Sequence, residues 1–275
     1  MDKKIKSLGK LKGKVLLFGG VYSNLQALEA LICISENLDI PPENCICTGD
    51  IIGYCAQPEE TLQLFHSWGA HSILGNVEIQ LRSGAQDCGC EFRKGSRCDD
   101  FSQQWYPYAQ SKLSQQSYTY LNTLPDHIEF TYAGKRVMVV HGSWFEVADY
   151  IFKSTPWETK KASLTATQSD VIVAGHCGIP FQHEVEGQLW LNPGVIGMPP
   201  NDGTPLVWYA LLDDTDDTFS YTQNTFAYDH IRTHRLMKEA PLPPEYARTI
   251  LTGIWDNTEI LPPVETGLQG FGIRL

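Results

Sequence analysis

The sequence predicts an α/β fold built on mainly parallel strands, and two observations predict it. Short apolar runs alternate with helical patterns, so that strand, polar loop and helix follow one another three times before residue 85. The composition suits one packed core: of 275 residues, 42% are hydrophobic and only 19% charged, too little charge for a disordered chain.

Val15–Phe18 is an apolar run between turn signals and reads as a buried strand. Ser23 and Asn24 offer capping side chains, and Leu25, Leu28, Leu31 and Ile32 follow at helical spacing. Residues 45–48 read as the next strand, Pro58-Glu59-Glu60 opens a second helix, and 71–74 is a third strand. Residues 87–100 combine glycine, charge and three cysteines and read as an irregular loop, followed by helix over 101–123. Strands are expected at 128–132 and 136–140 around a Gly134 turn, then at 171–174, 189–192, 207–212 and 219–225, with a helix over 157–168. The division expected is a domain over 1–226 and a C-terminal helical extension with a Pro/Gly-rich tail over 227–275.

A balance of 21 Lys+Arg against 32 Asp+Glu gives a formal charge of −11, which repels phosphate backbones and argues against nucleic-acid binding. No stretch has the apolar length of a membrane span, and Val15–Phe18 is too short for a signal-peptide core. The expected location is therefore the cytoplasm. There, the eight cysteines are expected as reduced thiols, metal ligands or redox groups.

Four strand ends finish in metal-ligand residue types: Gly49-Asp50, Gly75-Asn76, His141-Gly142 and Gly175-His176. Loops after the carboxyl ends of parallel strands converge on one sheet edge. There Asp50, Asn76, His141 and His176 would form a mixed N/O set suited to Zn, Mn, Fe or Ni. Two histidines and a carboxylate are also the set of non-heme Fe(II) sites. Cys88, Cys90 and Cys98 form C-x-C-x₇-C, one ligand short of a closed zinc site, with Cys55 or Cys177 as candidate fourth ligand. The alternative is a reduced loop or one labile disulfide.

The segment VLLFGGVYSNLQALEALI (15–32) resembles the first motif of the calcineurin-like metallophosphoesterases, closest to their small bacterial phosphodiesterase and dinucleoside-polyphosphate hydrolase branch. The likeness continues through TGDIIGYCAQPEE (48–60), LGNVE (74–78), VVHGS (139–143), VAGHCGIPF (173–181) and LNPGVIGMPPNDGTPLVWYALLD (191–213). It implies a four-layer sandwich of two mixed β-sheets flanked by helices, with a metal site at their shared edge. The departures fall together. Where the family pattern has Asp and His in its first motif, this chain has Gly20 and Tyr22. Val77 stands where the family has a His, and Gly178 replaces the second His of the last motif.

The resemblance thus implies that one cation has lost its unshared ligands. The residues matching the other cation's ligands (Asn76, His141, His176) remain, as does the bridging Asp50. A two-metal site clamps both the attacking and the leaving oxygen, so such losses weaken ordinary hydrolysis. Candidate catalytic residues are Asp50, His141, Tyr22 and Glu78. Tyr22 reads as a phenol donor, a metal ligand or a packed aromatic, and Glu78 as an acid or a helix N-terminal carboxylate. The expected cofactor is one divalent transition metal (Mn, Zn or Fe), and the expected partner a small phosphorylated molecule. The readings are an atypical phosphoesterase, a ligand-binding pseudoenzyme, or a repurposed mononuclear metalloenzyme.

Overall fold

The computed structural model describes residues 3–90 and 92–275. In chain order the elements are β1 (Ile5–Lys10), β2 (Val15–Phe18), α1 (Leu25–Asn37), β3 (Cys45–Cys47), α2 (Pro58–Trp68), β4 (His71–Ser72), α3 (Asn76–Ser83), α4 (Arg97–Lys112) and α5 (Gln115–Leu121). The second half contributes β5 (His127–Tyr132), β6 (Lys135–Val140), α6 (Trp157–Thr167), β7 (Val171–Ala174), β8 (Phe181–Val185), β9 (Gln188–Asn192), β10 (Val207–Asp213), β11 (Ser220–Phe226), α7 (His230–Glu239), α8 (Pro244–Thr252) and α9 (Pro263–Thr266).

Two mixed sheets result, ordered β1-β5-β6-β7-β9-β8 and β11-β10-β2-β3-β4. Each has a parallel centre, β6-β7-β9 in one and β2-β3-β4 in the other, with antiparallel pairs toward the edges. The sheets pack face to face. Along β2, Val15 and Leu17 meet Ile128, Val139 and Val173 of the opposite sheet, while Leu16 and Phe18 pack under the helices. Burial on both faces explains why β2 reads as a continuous apolar run. The parallel centres end at the same edge, where a bridge between Gly19 and Val195 joins the loops after β2 and β9.

Some elements differ from expectation, for local reasons. β1 is exposed along most of its length and is held by parallel pairing with β5, so it carries no apolar alternation. β8 is an edge strand, turned back onto β9 through Glu186 and Gly187, both at positive φ. The helix over 101–123 is two helices: Ser114 breaks it by accepting from the Ser117 amide as the N-cap of α5. Likewise α4 starts inside the expected loop, at Arg97, because Ser96 caps it by accepting from the Asp99 amide.

Helices α7 and α8 pack against α1. Met237, Ala247 and Ile250 belong to the core cluster that contains Leu28 and Leu31. The Thr233 hydroxyl meets Asn24 and Gln26 at 3.1 and 2.9 Å. No helix among the described residues is long and apolar enough to cross a membrane. A chain ending at Phe226 would uncover the α1 face of this core. It is expected to lose the cooperative urea transition of the full chain and to aggregate, which equilibrium denaturation and size-exclusion chromatography would check.

Candidate metal centre

The centre begins at the end of β3, where the backbone makes a sharp, tightly packed turn. Gly49 sits at φ +95, and a Cβ there would lie 2.6 Å from the Gly75 amide nitrogen. Asp50 follows at φ +57, a conformation costing a non-glycine residue about 1–3 kcal/mol and sustained only by its surroundings. The support is Glu78. Its fully buried carboxylate accepts backbone N–H bonds from Asp50 (2.9 Å), Ile52 (3.1 Å) and Gly75 (2.9 Å), tying the loop after β3 to the start of α3. Burial and the nearby Asp50 charge push the Glu78 carboxyl up to about 7, against the pull of those three donors. Glu78 thus positions Asp50 rather than facing the cavity.

Asp50 is 4% exposed and points inward. Its Oδ1 accepts from the Val77 amide at 3.3 Å, at the N-terminus of α3, where the helix dipole favours an anion. Its Oδ2 lies 3.2 Å from His141 Nε2. His141, after β6, donates from Nδ1 to the Thr48 carbonyl at 2.7 Å, which in the neutral ring leaves Nε2 a bare lone pair. That nitrogen is 3.0 Å from Asn76 Oδ1 and 3.1 Å from His176 Nδ1. Asn76 is oriented by donating from Nδ2 to the Cys88 carbonyl at 2.8 Å and to the Cys90 sulfur at 3.1 Å, so its oxygen faces the histidines. His176 stands at φ +60 with Tyr150 packed on its ring at 4.3 Å.

Four groups that can each offer an electron pair, from four loops, therefore face one another. Bonds of about 2.1 Å to a single ion place adjacent donors roughly 3 Å apart, the spacing of His141 Nε2 from its three neighbours. Among the described residues, Asp50, His141 and His176 are the one trio of His, Cys, Asp or Glu whose ligand atoms all lie within 4.8 Å of one another. The residues fit a divalent transition ion. Without an ion, burial works to lower the His141 pKa but the Asp50 charge prevails, so the ring holds its proton above the usual 6.5. Burial and the neighbouring His141 charge drop His176 to about 3, keeping it neutral.

Tyr22 is 6% exposed and its ring fills the space into which a side chain on Gly20 would project; its hydroxyl lies 2.8 Å from the Cβ such a residue would carry. Gly178 has φ +76, and the Trp255 ring stands 3.4 Å from where its Cβ would be. The cysteines are not gathered into one ligand set. The Cys88 and Cys90 sulfurs approach to 2.7 Å behind Asn76. Cys98 bonds Asn257 Oδ1 at 3.3 Å, Cys55 faces the Gly197 carbonyl at 3.7 Å, and Cys177 accepts from Asn192 at 3.2 Å. Burial pushes the Cys177 thiol up to about 12 and Cys98 to about 11.

A cavity of about 90 Å³ opens beside Asp50 and His176, walled by Tyr22, Tyr54, Tyr150, Tyr246 and Trp255, with no Lys or Arg in its lining. Of these aromatic residues the sequence reading named Tyr22 alone. Tyr54 lies four positions after Asp50, but Tyr246 and Trp255 sit about 200 residues away, with no motif to mark them.

Two mixed sheets face to face, with Asp, Asn and two His gathered where their strands end, define a class of metal-centred α/β sandwich. Residues 16–217 match the model of the calcineurin-like phosphoesterase superfamily domain, and the chain belongs to that superfamily. It is 26% identical over 251 residues to an uncharacterized protein of Methanocaldococcus jannaschii, covering 82% of this chain and 95% of the relative. A hypothetical protein from Pyrococcus horikoshii OT3 has a similar structure, with TM-score 0.72 and 19% identity over 88% of this chain and 99% of its own. So does a metallophosphoesterase from Sphaerobacter thermophilus, with TM-score 0.69 and 21% identity over 89% and 100%.

Three outcomes follow from the geometry. An entering ion must displace the His141 proton, so affinity for Zn or Mn should rise about tenfold per pH unit up to that group's raised pKa and flatten above it. Calorimetry in buffers of different ionisation enthalpy would show close to one proton released per ion on the acid side. In the ion-free protein, the His141–Asp50 pair adds stability that is present below pH 6.5 and lost as pH rises through the raised pKa. His176 acts oppositely, removing stability as pH falls from 6.5 toward 3. Gly75→Ala puts a methyl 2.7 Å from Asp50 Cγ, and should cost about 1–3 kcal/mol and at least tenfold in ion affinity, by denaturation and metal titration.

Proposed function

We propose that this chain is a metal-dependent hydrolase of small phosphate esters or nucleotides that works with one divalent ion (Mn, Zn or Fe). The observation that carries this reading is the convergence of Asp50, Asn76, His141 and His176 on one point. Membership of a phosphoesterase superfamily supplies the reaction class.

A bound ion would polarise a phosphoryl oxygen and lower the pKa of water at the site. The protein's own groups set the rest. Asp50 brings the one carboxylate of the donor set, fixed by α3 and by Glu78. Tyr22 presents a phenol whose pKa burial and the Asp50 charge raise well above 10, so it stays protonated and can donate a hydrogen bond. The aromatic walls make the cavity lining largely apolar, which strengthens charge interactions inside.

That a second cation has been lost is supported by Tyr22 occupying the space beside Gly20, and by Trp255 standing over Gly178. A repurposed mononuclear iron enzyme is the second reading, favoured by the two-histidine, one-carboxylate set with paired thiols behind Asn76.

Turnover of bis(p-nitrophenyl) phosphate with Mn, Zn, Fe and Ni supplied in turn tests the proposal. Ion-dependent hydrolysis is expected, falling on the order of 10²–10³-fold in Asp50→Ala. Stoichiometric ion without hydrolysis of any phosphate ester would overturn it, and an oxygen-sensitive optical or EPR signal in the iron form would then favour the second reading.

A further inference from the structure

Four tyrosines, Tyr22, Tyr54, Tyr150 and Tyr246, line the cavity beside the donor set. Among the other tyrosines, Tyr106 donates to the Ala85 carbonyl, Tyr108 to Ala56 and Tyr132 to Gly13, at 3.2, 2.8 and 2.6 Å, Tyr221 bonds Gln182, and the buried Tyr228 hydroxyl has no partner. The four cavity hydroxyls make no such bond among the described residues. Nor are they among the polar atoms sealed in the interior without a partner, so they face the cavity's open space. A phenol that turns its one strong donor into a largely apolar pocket gives up a hydrogen bond it could make in water.

Three of the rings pack against one another and the fourth packs on His176. Tyr54 meets Tyr22 edge to face at 4.7 Å and Tyr246 at 5.0 Å, while Tyr150 leans on His176 at 4.3 Å. Tyr22 holds its hydroxyl in the space beside Gly20, next to Asp50. These donors are preorganised, so little entropy is lost when they engage a ligand.

The ligand's charge follows from what surrounds it. Sites for phosphate usually contain Arg or Lys. Here neither lines the cavity, and the carboxylate at its rim, Asp256, is occupied by Arg97 at 2.6 Å. An ion held by Asp50 and the histidines would leave a positive pole at one end and neutral O–H donors along the walls. That combination selects a small anion rich in acceptor oxygens.

We propose that Tyr22, Tyr54, Tyr150 and Tyr246 form a phenol-lined oxyanion subsite, which holds the phosphoryl oxygens of the substrate by O–H donation in place of cationic side chains. The inference rests on the phosphoester reading above.

The test is calorimetric titration of the Mn-loaded full chain with inorganic phosphate and with orthovanadate, alongside Tyr22→Phe, Tyr150→Phe and the Tyr54→Phe/Tyr246→Phe double variant. Phenylalanine keeps the rings, so thermal unfolding and bound manganese should match the parent. Anion affinity should fall about tenfold or more in each single variant, the scale of a hydrogen bond to a charged group. A tyrosine difference absorption near 290 nm should accompany phosphate binding to the parent and shrink in the variants. Unchanged affinity in Tyr22→Phe and Tyr150→Phe, with manganese retained, overturns the subsite and leaves the metal-centre reading standing. Manganese binding that survives Asp50→Ala unchanged overturns the metal-centre reading, and the Phe variants then judge the subsite alone.

Discussion

The arrangement depends on one buried carboxylate. Glu78 has no exposure, and its two oxygens draw three backbone amides from two separate loops into one knot. Asp50 needs that knot because its left-handed backbone is unfavourable on its own. With Asp50 held, the N-terminus of α3 and the edge of His141 fall into place around it. A carboxylate burdened by burial is tolerated because charge-assisted bonds to amides offset much of its desolvation. The histidines are fixed by different means: His141 by the Thr48 carbonyl, His176 by packing under Tyr150.

Much of the framework was legible because parallel strands buried on both faces leave continuous apolar runs. β2 and β7 lie where Val15–Phe18 and Val171–Ala174 read as strands. Strands defined by pairing alone were not legible. β1 carries Lys, Ser and Gly, and its order comes from β5 rather than from its own pattern. Caps decided the remaining differences, since Ser96 and Ser114 set helix starts that hydrophobic spacing does not mark.

The metal-ligand residue types were visible because each follows a strand and lies beside glycine, and the shared sheet edge brings their side chains together. What spacing could not reveal was the division of labour around them. Glu78 looks the same in sequence whether it faces a ligand or a backbone. Likewise, the three loop cysteines look like a cluster, yet Cys88 and Cys90 lie behind Asn76 while Cys98 reaches to Asn257. Apart from Tyr22, the aromatic wall was hidden because it is assembled from the loop after β3, the loop after β6 and the α8 region, which only the fold brings together.

The placement of Tyr246 and Trp255 has a further consequence. The candidate ligands come from the strand ends of the sandwich, but Tyr246 and Trp255 come from a segment joined to it by a single chain crossing after β11. The donor set and part of the cavity wall are therefore encoded in different stretches of the gene. Drift in the last fifty residues could reshape which molecules gain entry while the inner coordination sphere stays as it is.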